Sequence, residues 1–364
     1  MLTGLAVTYN NPIFTLMEKV KDFIVIGAAQ AGLAMAFYLR DINKDFLLVD
    51  KEEQIGASWL NRWDSLKLFT PSEFNNLPGL DFPAPQGHYP SKKEVADYFK
   101  LYAEKYKIPI RFNTFISKIC REKDYFLLKS TQGDLRTKNV IIATGPFHIP
   151  YTPPFAKNIN KNIFQIHSNY YKNPQQLKKG NTMVVGGGDS GFQILDEISR
   201  TGRKVYYSGP EKVRTLPQEL LGKTLWWWFT KTGFLSFSRD SWMGRKIRKG
   251  RQPIIGTSVK SILKRKNINP VGKTKHADGN LIITEKKELT DIQNIVWATG
   301  YRANFSWIEG LEPDKHGYPE HHRGISNIEG LYFIGLPWLH TRGSATLGGI
   351  KKDAKHLADY ILNK

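Results

Sequence analysis

The sequence predicts an α/β protein that contains two doubly wound units of strands and helices. Three observations predict this fold: a strand–turn–helix–strand segment at residues 21–50, a second such segment that begins at residue 182, and two similar strands that both end in Ala-Thr-Gly, at 139–145 and 294–300. Strands that alternate with helices in this way are typical of parallel sheets connected by crossover helices.

The first segment has the pattern of one βαβ unit. The apolar strand FIVIG leads into the turn GAAQAG and a helix, and the next strand, FLLVD, ends at Asp50. Gly27, Ala29 and Gly32 occupy the small-residue positions of a G-x-G-x-x-G fingerprint, in which the first permits a tight turn and the last lets the helix pack on the strand. A pyrophosphate at the helix N-terminus and ribose hydroxyls at Asp50 would complete a dinucleotide site.

The second segment repeats this pattern. The strand TMVVG is followed by GGGDSG, which places Gly186, Gly188 and Gly191 at the fingerprint positions, and then by a helix. The strand after that helix ends near Ser208, 22 residues after Gly186. The sequence therefore predicts a second Rossmann-like dinucleotide site.

Two dinucleotide sites imply two cofactors with electron transfer between them, and a flavin that accepts hydride from a nicotinamide is the economical pair. Asp50 would repel a 2′-phosphate, whereas the second site has no acid at the equivalent position and has Lys212 and Arg214 shortly after it. We therefore expect FAD at the first site and NADPH or NADH at the second.

The two Ala-Thr-Gly turns also favour cofactor contact. Their small residues would let the backbone run against a bound cofactor. Alone, each turn would be an ordinary strand followed by a glycine. Because each of the two lies downstream of a fingerprint, we interpret both as parts of the dinucleotide sites.

The charge of the chain is concentrated in its second half. The protein has 53 Lys+Arg and 33 Asp+Glu, a net charge of +20, and residues 151–300 hold 26 basic and 10 acidic residues. A basic face would attract the polyanionic nicotinamide cofactor. The alternative is contact with an anionic membrane surface or nucleic acid, because tryptophans at 226–228 adjoin a stretch, 241–277, with eleven Lys+Arg and no acid. Since no nucleic-acid module is present, we expect no nucleic-acid partner, and weak membrane contact stays open.

Composition excludes several classes of protein. The single cysteine, Cys120, excludes an intramolecular disulfide, a cysteine zinc site and a redox CxxC pair. No run of 18 apolar residues predicts a membrane span and no signal peptide is visible, so we expect a cytoplasmic protein. His316, His321 and His322 cluster without a further ligand at metal-site spacing, so no metal is expected. A homodimer stays open.

Longer motifs resemble a known family. These motifs are GAAQAG, GASW, RWDSLKLFTPSEFNNLPG, HYPSKKEVADYFKLYAEKY, ATG, GGGDSG, LPQELLGKTLWWWFTKTG, WATGYR and IGLPWLHTRGSATLGGIKKDA. By these motifs the chain resembles, over about residues 18–364, flavin-containing monooxygenases of the two-dinucleotide-binding-domain class, and more closely the CzcO-type and YUCCA-type flavoproteins.

The resemblance implies an activity and a division into domains. NAD(P)H would reduce FAD, O2 would add to the reduced flavin, and a C4a-(hydro)peroxyflavin would oxygenate a small substrate at a nucleophilic sulfur, nitrogen or carbonyl. An N-terminal extension at 1–17 would precede a discontinuous FAD domain, 18–155 and 324–364, into which the NAD(P)H domain, 156–323, is inserted.

The chemistry would be flavin-centred, so we expect cofactor-binding residues rather than a catalytic side chain. These are Gly27, Ala29, Gln30, Ala31, Gly32, Asp50, Lys51, Ser58, Trp59, Ala143, Thr144, Gly145, Gly186, Gly188, Asp189, Ser190, Gly191, Ser208, Arg214, Thr299, Gly300 and Gly335.

The sequence departs from the family at three places. In the linker pattern FxGxxxHxxx(W/Y), His167 remains but the glycine does not, and we expect His167 to order the linker. Thr70 is followed by Pro71, whereas some relatives have an asparagine near the flavin at this position. This difference favours an alternative function, that of an NAD(P)H oxidase or electron-transfer reductase. No arginine ends the second strand of the NAD(P)H unit, so NADPH and NADH both stay open. A third alternative is a basic membrane- or nucleic-acid-associated module with structural FAD.

Overall fold

The computed structural model describes residues 19–210, 212–250 and 252–364. The whole extension expected at 1–17 therefore lies, with residue 18, outside the described residues. In chain order the strands are β1 Lys21–Ile26, β2 Phe46–Val49, β3 Ile110–Arg111, β4 Ile116–Arg121, β5 Phe126–Ser130, β6 Leu135–Ile142, β7 Ile149–Pro150, β8 Phe164–His167, β9 Thr182–Val185, β10 Val205–Ser208, β11 Thr215–Leu216, β12 Glu219–Leu220, β13 Lys223–Thr224, β14 Ile254–Ile255, β15 Ile268–Pro270, β16 Thr274–Asp278, β17 Leu281–Thr284, β18 Glu288–Leu289, β19 Asn294–Trp297, β20 Tyr301–Arg302 and β21 Leu331–Phe333.

Eight α-helices and four short 3-10 helices lie within the described residues. The α-helices are α1 Gln30–Asp41, α2 Ala57–Leu60, α3 Lys92–Lys105, α4 Asp189–Ser199, α5 Leu225–Lys231, α6 Trp242–Lys249, α7 Val259–Leu263 and α8 Ile350–Leu362. The 3-10 helices are Ser72–Phe74, Pro154–Asn158, Pro174–Gln176 and Phe234–Ser236. No helix of the described chain combines the length and the apolar character needed to cross a bilayer.

The first sheet has seven strands in the order β3-β2-β1-β6-β5-β4, with β21 also paired to β6. Strand β1 runs parallel to β2 and β6, and β21 runs parallel to β6, whereas β4, β5 and β6 form an antiparallel meander. Helices α1 and α8 pack against each other. The C-terminal part of the chain therefore completes a sheet that its N-terminal part begins.

The second sheet has five parallel strands in the order β15-β10-β9-β19-β8. Its strands are almost fully buried, as expected for parallel strands that are covered on both faces. The three-stranded antiparallel sheet β16-β17-β18 follows β15. The predicted α/β class is confirmed.

Two further features join the sheets. Strand β7, which follows the first Ala-Thr-Gly turn, pairs antiparallel with β20, which follows the second. An insert at 215–256 contains the parallel pair β11–β14, the hairpin β12–β13, α5 and α6. Its apolar side chains Leu225, Trp226, Phe229 and Ile255 pack against Phe69 and Phe74 of the loop that follows α2. The insert thus covers part of the first half of the chain.

Candidate cofactor sites

The turn after β1 is packed so closely that it requires glycine at two positions. Gly27 has φ +110°, and a Cβ placed there would lie 2.7 Å from the carbonyl oxygen of Ala143. A Cβ at Gly32 would lie 1.9 Å from the carbonyl oxygen of Gly27. Because backbone atoms cannot give way as a flexible side chain does, both positions exclude any larger residue. The first Ala-Thr-Gly turn therefore lies directly against the first fingerprint.

Asp50 fixes the turn from the end of β2. Its Oδ2 accepts a hydrogen bond from the Ala28 amide at 2.7 Å, and its Oδ1 accepts one from the Glu52 amide at 2.9 Å. Ala29, the N-cap residue of α1, provides no side-chain cap, and the first turn of α1 holds no acid. The start of α1 consequently presents backbone N–H groups and the positive end of its dipole, which suits a pyrophosphate.

Three segments distant in sequence meet at the first turn of α1. A Cβ at Gly335, just after β21, would lie 2.8 Å from the Ala31 methyl group. The Trp59 indole of α2 donates to Gln30 Oε1 at 3.4 Å. Ser58 precedes Trp59 in α2 and is exposed. The structure therefore brings together four of the expected cofactor-binding residues: Gln30 and Ala31 of α1, Trp59 of α2, and Gly335, which follows β21.

Lys51 and the first Ala-Thr-Gly turn border this region. The Lys51 ammonium is exposed and lies 3.8 Å from the Glu52 carboxylate. Thr144 Oγ1 lies 3.0 Å from His148 Nε2, and the Asn304 amide donates to His148 Nδ1 at 3.0 Å. That second bond leaves the ring proton on Nε2, which donates to Thr144. Burial lowers the pKa of His148, so the ring is neutral. Sequence reasoning missed His148, because one histidine between a turn and a short strand carries no pattern.

The second fingerprint repeats the geometry of the first. A Cβ at Gly186, where φ is +130°, would lie 2.1 Å from the carbonyl oxygen of Ala298, and one at Gly191 would lie 2.3 Å from that of Gly186. These are the same relations that join Gly27 to Ala143 and Gly32 to Gly27. Gly188 differs, because a Cβ there would have no atom within 4 Å. Space is therefore left beside Gly188, at the start of α4.

The remaining residues of the second fingerprint begin α4. Asp189 is the first residue of α4 and is half-buried. Burial raises the pKa of its carboxyl above the usual range. Ser190 follows and is half-buried as well. Both residues therefore lie at the N-terminal end of α4, next to the open space beside Gly188.

Two predicted contacts of the second site have other partners or lie apart. Ser208 is buried, and its hydroxyl oxygen accepts from the Thr274 amide at 2.9 Å and lies 2.8 Å from Thr274 Oγ1. The Ser208 backbone carbonyl accepts from the Gly186 amide at 2.8 Å. Ser208 thus positions the turn, and its hydroxyl is already engaged. Arg214 is exposed just before β11.

The second Ala-Thr-Gly turn is tied to the segments on either side of it. The Thr299 hydroxyl donates to the Tyr151 carbonyl. His167 Nε2 donates to the Gly300 carbonyl at 3.0 Å while its Nδ1 accepts from the Asn169 amide at 3.0 Å. Burial lowers the pKa of His167, so this ring is neutral too. His167 stands where it can order the chain that leads into the second sheet.

An arginine joins the two halves beside these turns. Arg62 Nη1 donates to Asn169 Oδ1 at 3.0 Å and to the Tyr301 hydroxyl at 2.5 Å, and Tyr301 donates to Asn169 Oδ1 at 3.1 Å. The guanidinium carbon lies 5.6 Å from the ring centroids of Phe147 and Tyr301. Among the described residues no carboxylate pairs with Arg62. We call Arg62, Phe147, Asn169 and Tyr301 the junction cluster; no sequence pattern indicated it.

The loop around Thr70 is held by a buried asparagine. Asn75 Oδ1 accepts from the Thr70 hydroxyl at 2.6 Å, and its Nδ2 donates to the carbonyls of Thr70 and Pro71, each at 3.0 Å. A Cβ at Gly348 would lie 1.9 Å from the Phe74 carbonyl oxygen. The loop therefore packs against the start of α8, and the Asn75 amide is fully engaged within it.

Comparison with known proteins yields four findings. A family model described as pyridine nucleotide-disulphide oxidoreductase matches residues 24–220. An uncharacterised CzcO-like oxidoreductase of Geobacillus kaustophilus is 41% identical over 348 residues, which cover 95% of this chain and 100% of that protein. The probable indole-3-pyruvate monooxygenase YUCCA8 of Arabidopsis thaliana is 26% identical over 96% of this chain and 93% of that protein. The structure of a flavin-containing monooxygenase from Stenotrophomonas maltophilia is similar with a TM-score of 0.78 at 24% identity, over 94% of this chain and 98% of that one.

Proposed function

The chain belongs to the pyridine nucleotide-disulphide oxidoreductase family and, within it, to the CzcO-like flavoproteins of the flavin monooxygenase type, and from this premise we propose its activity. It is a monooxygenase that uses FAD, NAD(P)H and O2, through the oxygenated flavin described above, to oxygenate a small substrate at sulfur, nitrogen or a carbonyl. The resemblance predicted from the sequence is confirmed, and FAD with NAD(P)H is confirmed as the cofactor pair.

The observation that carries the proposal is the duplicated turn. In both halves the first glycine of the fingerprint contacts the carbonyl of the alanine in an Ala-Thr-Gly turn, and the last glycine contacts the carbonyl of the first. The β7–β20 pair and the junction cluster hold the two turns near each other. This supports two dinucleotide-binding domains, at 18–155 with 324–364 and at 156–323, with the substrate between them.

The first turn fits FAD. Its closely packed glycines leave backbone N–H groups at the start of α1 for a pyrophosphate, and the Asp50 carboxylate stands at the end of β2 for ribose hydroxyls. Each Asp50 oxygen that already accepts one bond keeps a second lone pair. Bound there, FAD would supply hydride acceptance from NAD(P)H and the activation of O2.

The protein's own contribution is positioning and the exclusion of water. Gly335 brings the end of β21 against α1, and the insert covers the loop at Phe69 and Phe74 with apolar side chains. His148 and His167 bond to the two Ala-Thr-Gly turns, and each ring also accepts a backbone N–H, from Asn304 and Asn169, so both hold these turns in place. Flavin-centred chemistry asks the protein mainly for such positioning and for the exclusion of water.

The test is a screen of NAD(P)H oxidation by FAD-loaded protein over thioethers, amines and ketones, including indole-3-pyruvate because plant relatives carry that name. Product and hydrogen peroxide are quantified in each reaction. We expect at least one substrate to stimulate NAD(P)H oxidation and to yield about one product per NAD(P)H with little peroxide. Protein that fails to retain FAD, or whose FAD no NAD(P)H reduces, would contradict the proposal.

The second candidate is an NAD(P)H oxidase or electron-transfer reductase. The Asn75 amide is fully engaged with the Thr70 hydroxyl and two backbone carbonyls, and Pro71 offers no amide of its own. This loop therefore provides no free side-chain amide toward a flavin. Stoichiometric peroxide with every substrate in the screen would favour the oxidase over the monooxygenase.

A further inference from the structure

The tip of the β12–β13 hairpin carries an exposed apolar side chain. Leu221 is 83% exposed, and Leu220 beside it is 46% exposed. The positive φ values of Leu221 and Gly222, +51° and +71°, are those that a two-residue hairpin turn requires at both of its central positions. The turn thus explains the backbone but not the leucine side chain, because asparagine, aspartate or glycine suits this position better. An exposed apolar side chain that continues into a larger apolar surface is typical of contact with another molecule.

The leucines continue into an aromatic surface on α5. The Trp228 indole N–H donates to the Leu220 carbonyl at 2.8 Å, and the rings of Trp227 and Trp228 meet edge to face at 4.9 Å. The Lys223 and Lys231 ammonium groups lie 5.9 and 5.8 Å from the Trp227 ring centroid. Together these six residues form the docking patch: Leu220, Leu221, Lys223, Trp227, Trp228 and Lys231.

Helix α6, in the same insert, adds a further tryptophan and strong positive charge. Trp242 is 65% exposed, with the Lys246 ammonium 5.1 Å from its ring centroid. Arg245, Arg248 and Lys249 are exposed as well. Over residues 212–277 the sequence has 16 Lys+Arg and only two acids, at 219 and 240. The exposed apolar and aromatic side chains therefore lie in a basic field.

We propose that the docking patch and α6 bind the surface of an anionic lipid bilayer. Leucine and tryptophan side chains would enter the boundary between headgroups and acyl chains, and the lysines and arginines would lie at lipid phosphates. Tryptophan suits this depth because it joins an apolar ring to one hydrogen-bond donor. A nucleic acid would use the same cations and could stack on tryptophan, but it would gain nothing from two exposed leucines. The aliphatic tip is therefore the feature that favours lipid.

The experiment is flotation of the full-length, FAD-loaded protein with vesicles of equimolar phosphatidylglycerol and phosphatidylcholine, and with pure phosphatidylcholine vesicles. Leu221→Gly removes the apolar tip and relieves the positive φ, so the fold is kept. Lys246→Glu with Arg248→Glu reverses two charges of α6. Leu362→Ser and the pair Lys123→Glu with Lys179→Glu are matched controls at exposed positions outside the insert.

We expect the protein to float with the anionic vesicles and not with the neutral ones. Leu221→Gly and the α6 double variant should each weaken this binding about tenfold, while the controls bind as the unchanged protein does. Flavin content should stay unchanged in all variants. Failure to float with anionic vesicles would overturn the proposal, as would equal binding by Leu221→Gly. Salt-sensitive binding to a DNA duplex that is tighter than vesicle binding and insensitive to Leu221→Gly would overturn it in favour of nucleic acid.

Discussion

Five glycines occupy fingerprint positions in the two dinucleotide turns, and four of them serve a different purpose from the fifth, Gly188. At Gly27, Gly32, Gly186 and Gly191 a Cβ would lie within 3 Å of a backbone oxygen. At Gly188 it would meet nothing within 4 Å, and φ is −99°, which any residue adopts. The first four are therefore required for folding, whereas the fifth keeps open the space at the start of α4. A fingerprint in the sequence makes these glycines look equivalent, because the carbonyls that crowd them come from distant segments.

Substitution at Gly188 should separate folding from cofactor binding. Gly188→Val is expected to keep normal stability and FAD content while slowing reduction by NAD(P)H about 100-fold, because a branched side chain would fill the space for the pyrophosphate and displace the nicotinamide. Anaerobic stopped-flow absorbance of the flavin measures this rate.

Gly186→Val and Gly27→Val are the comparison variants. Both side chains would collide with backbone, so we expect Gly186→Val to lower folding stability and Gly27→Val to lose FAD. A Gly188→Val protein that NAD(P)H reduces at the normal rate would show that the two sites are assigned wrongly.

At the scale of elements, α8 carries a buried ionisable group in its first turns. Asp353 is only 3% exposed, its Oδ2 has no partner in the described protein, and burial raises its pKa to about 6 despite a hydrogen bond from Ser344. His321 has the opposite shift, because burial lowers its pKa to about 4. As the pH rises from 4 to 6, Asp353 lowers the free energy of unfolding, because its carboxyl ionises in the unfolded chain before it does in the folded protein. His321 raises the free energy of unfolding over the same range, because its ring loses its proton in the folded protein first. The two effects offset each other over the same pH range.

Asp353→Asn should remove the contribution of Asp353 to the pH dependence of stability. The unfolded carboxyl releases its proton near pH 4 and the folded one near pH 6, so the wild-type protein loses stability through Asp353 between those values. The free energy of unfolding of the variant, relative to wild type, should therefore rise by about 2 kcal/mol between pH 4 and pH 7.

Urea unfolding of the FAD-loaded proteins at several pH values measures this difference. Asp359→Asn, which removes a carboxylate at an exposed position of the same helix, is the comparison variant. A difference between Asp353→Asn and wild type that stays constant from pH 4 to pH 7 would contradict the assignment.

The elements differ in how far the sequence predicts them. The strand–turn–helix units at Gly27 and Gly186 were predictable because their signals are local: apolar strands, glycine turns and helical spacing. The meander β4–β6 and the pairing of β21 with β6 were not, because they depend on contacts between segments far apart in sequence. The same reason applies to His148, whose partner Asn304 comes from a distant segment. Asn75 and Thr70 are only five residues apart, but their bond has no signal of its own in the sequence.

At the scale of the whole molecule, the junction cluster joins the two halves of the chain. Arg62 comes from the segment after α2, and its partners Asn169 and Tyr301 come from the second half. Its guanidinium lies 5.6 Å from each of two rings that follow the Ala-Thr-Gly turns, Phe147 and Tyr301, and these rings contact each other with centroids 4.9 Å apart. A hydride passes only over a short distance, so the mutual orientation of the two sites sets the reduction rate. We therefore expect Arg62 to act as a positioning residue for hydride transfer.

Arg62→Gln should slow flavin reduction without loss of FAD. Losing charge-assisted bonds across the junction should lower the limiting reduction rate about tenfold and change the Kd of NAD(P)H little. Arg62→Lys, which keeps the charge but not the planar fork, should restore only part of the rate. Arg121→Gln, within the first half, is the control. Equal limiting rates in Arg62→Gln and wild type would contradict the positioning role.

In the proposed monooxygenase reaction, one atom of O2 enters the substrate at the expense of NAD(P)H. The most direct test of this reaction uses the substrate that stimulates NAD(P)H oxidation best, with ¹⁸O2 as oxidant and mass spectrometry of the product. We expect one ¹⁸O atom per product and about one product per NAD(P)H. Product without label, or ¹⁸O recovered only in hydrogen peroxide and water, would contradict it.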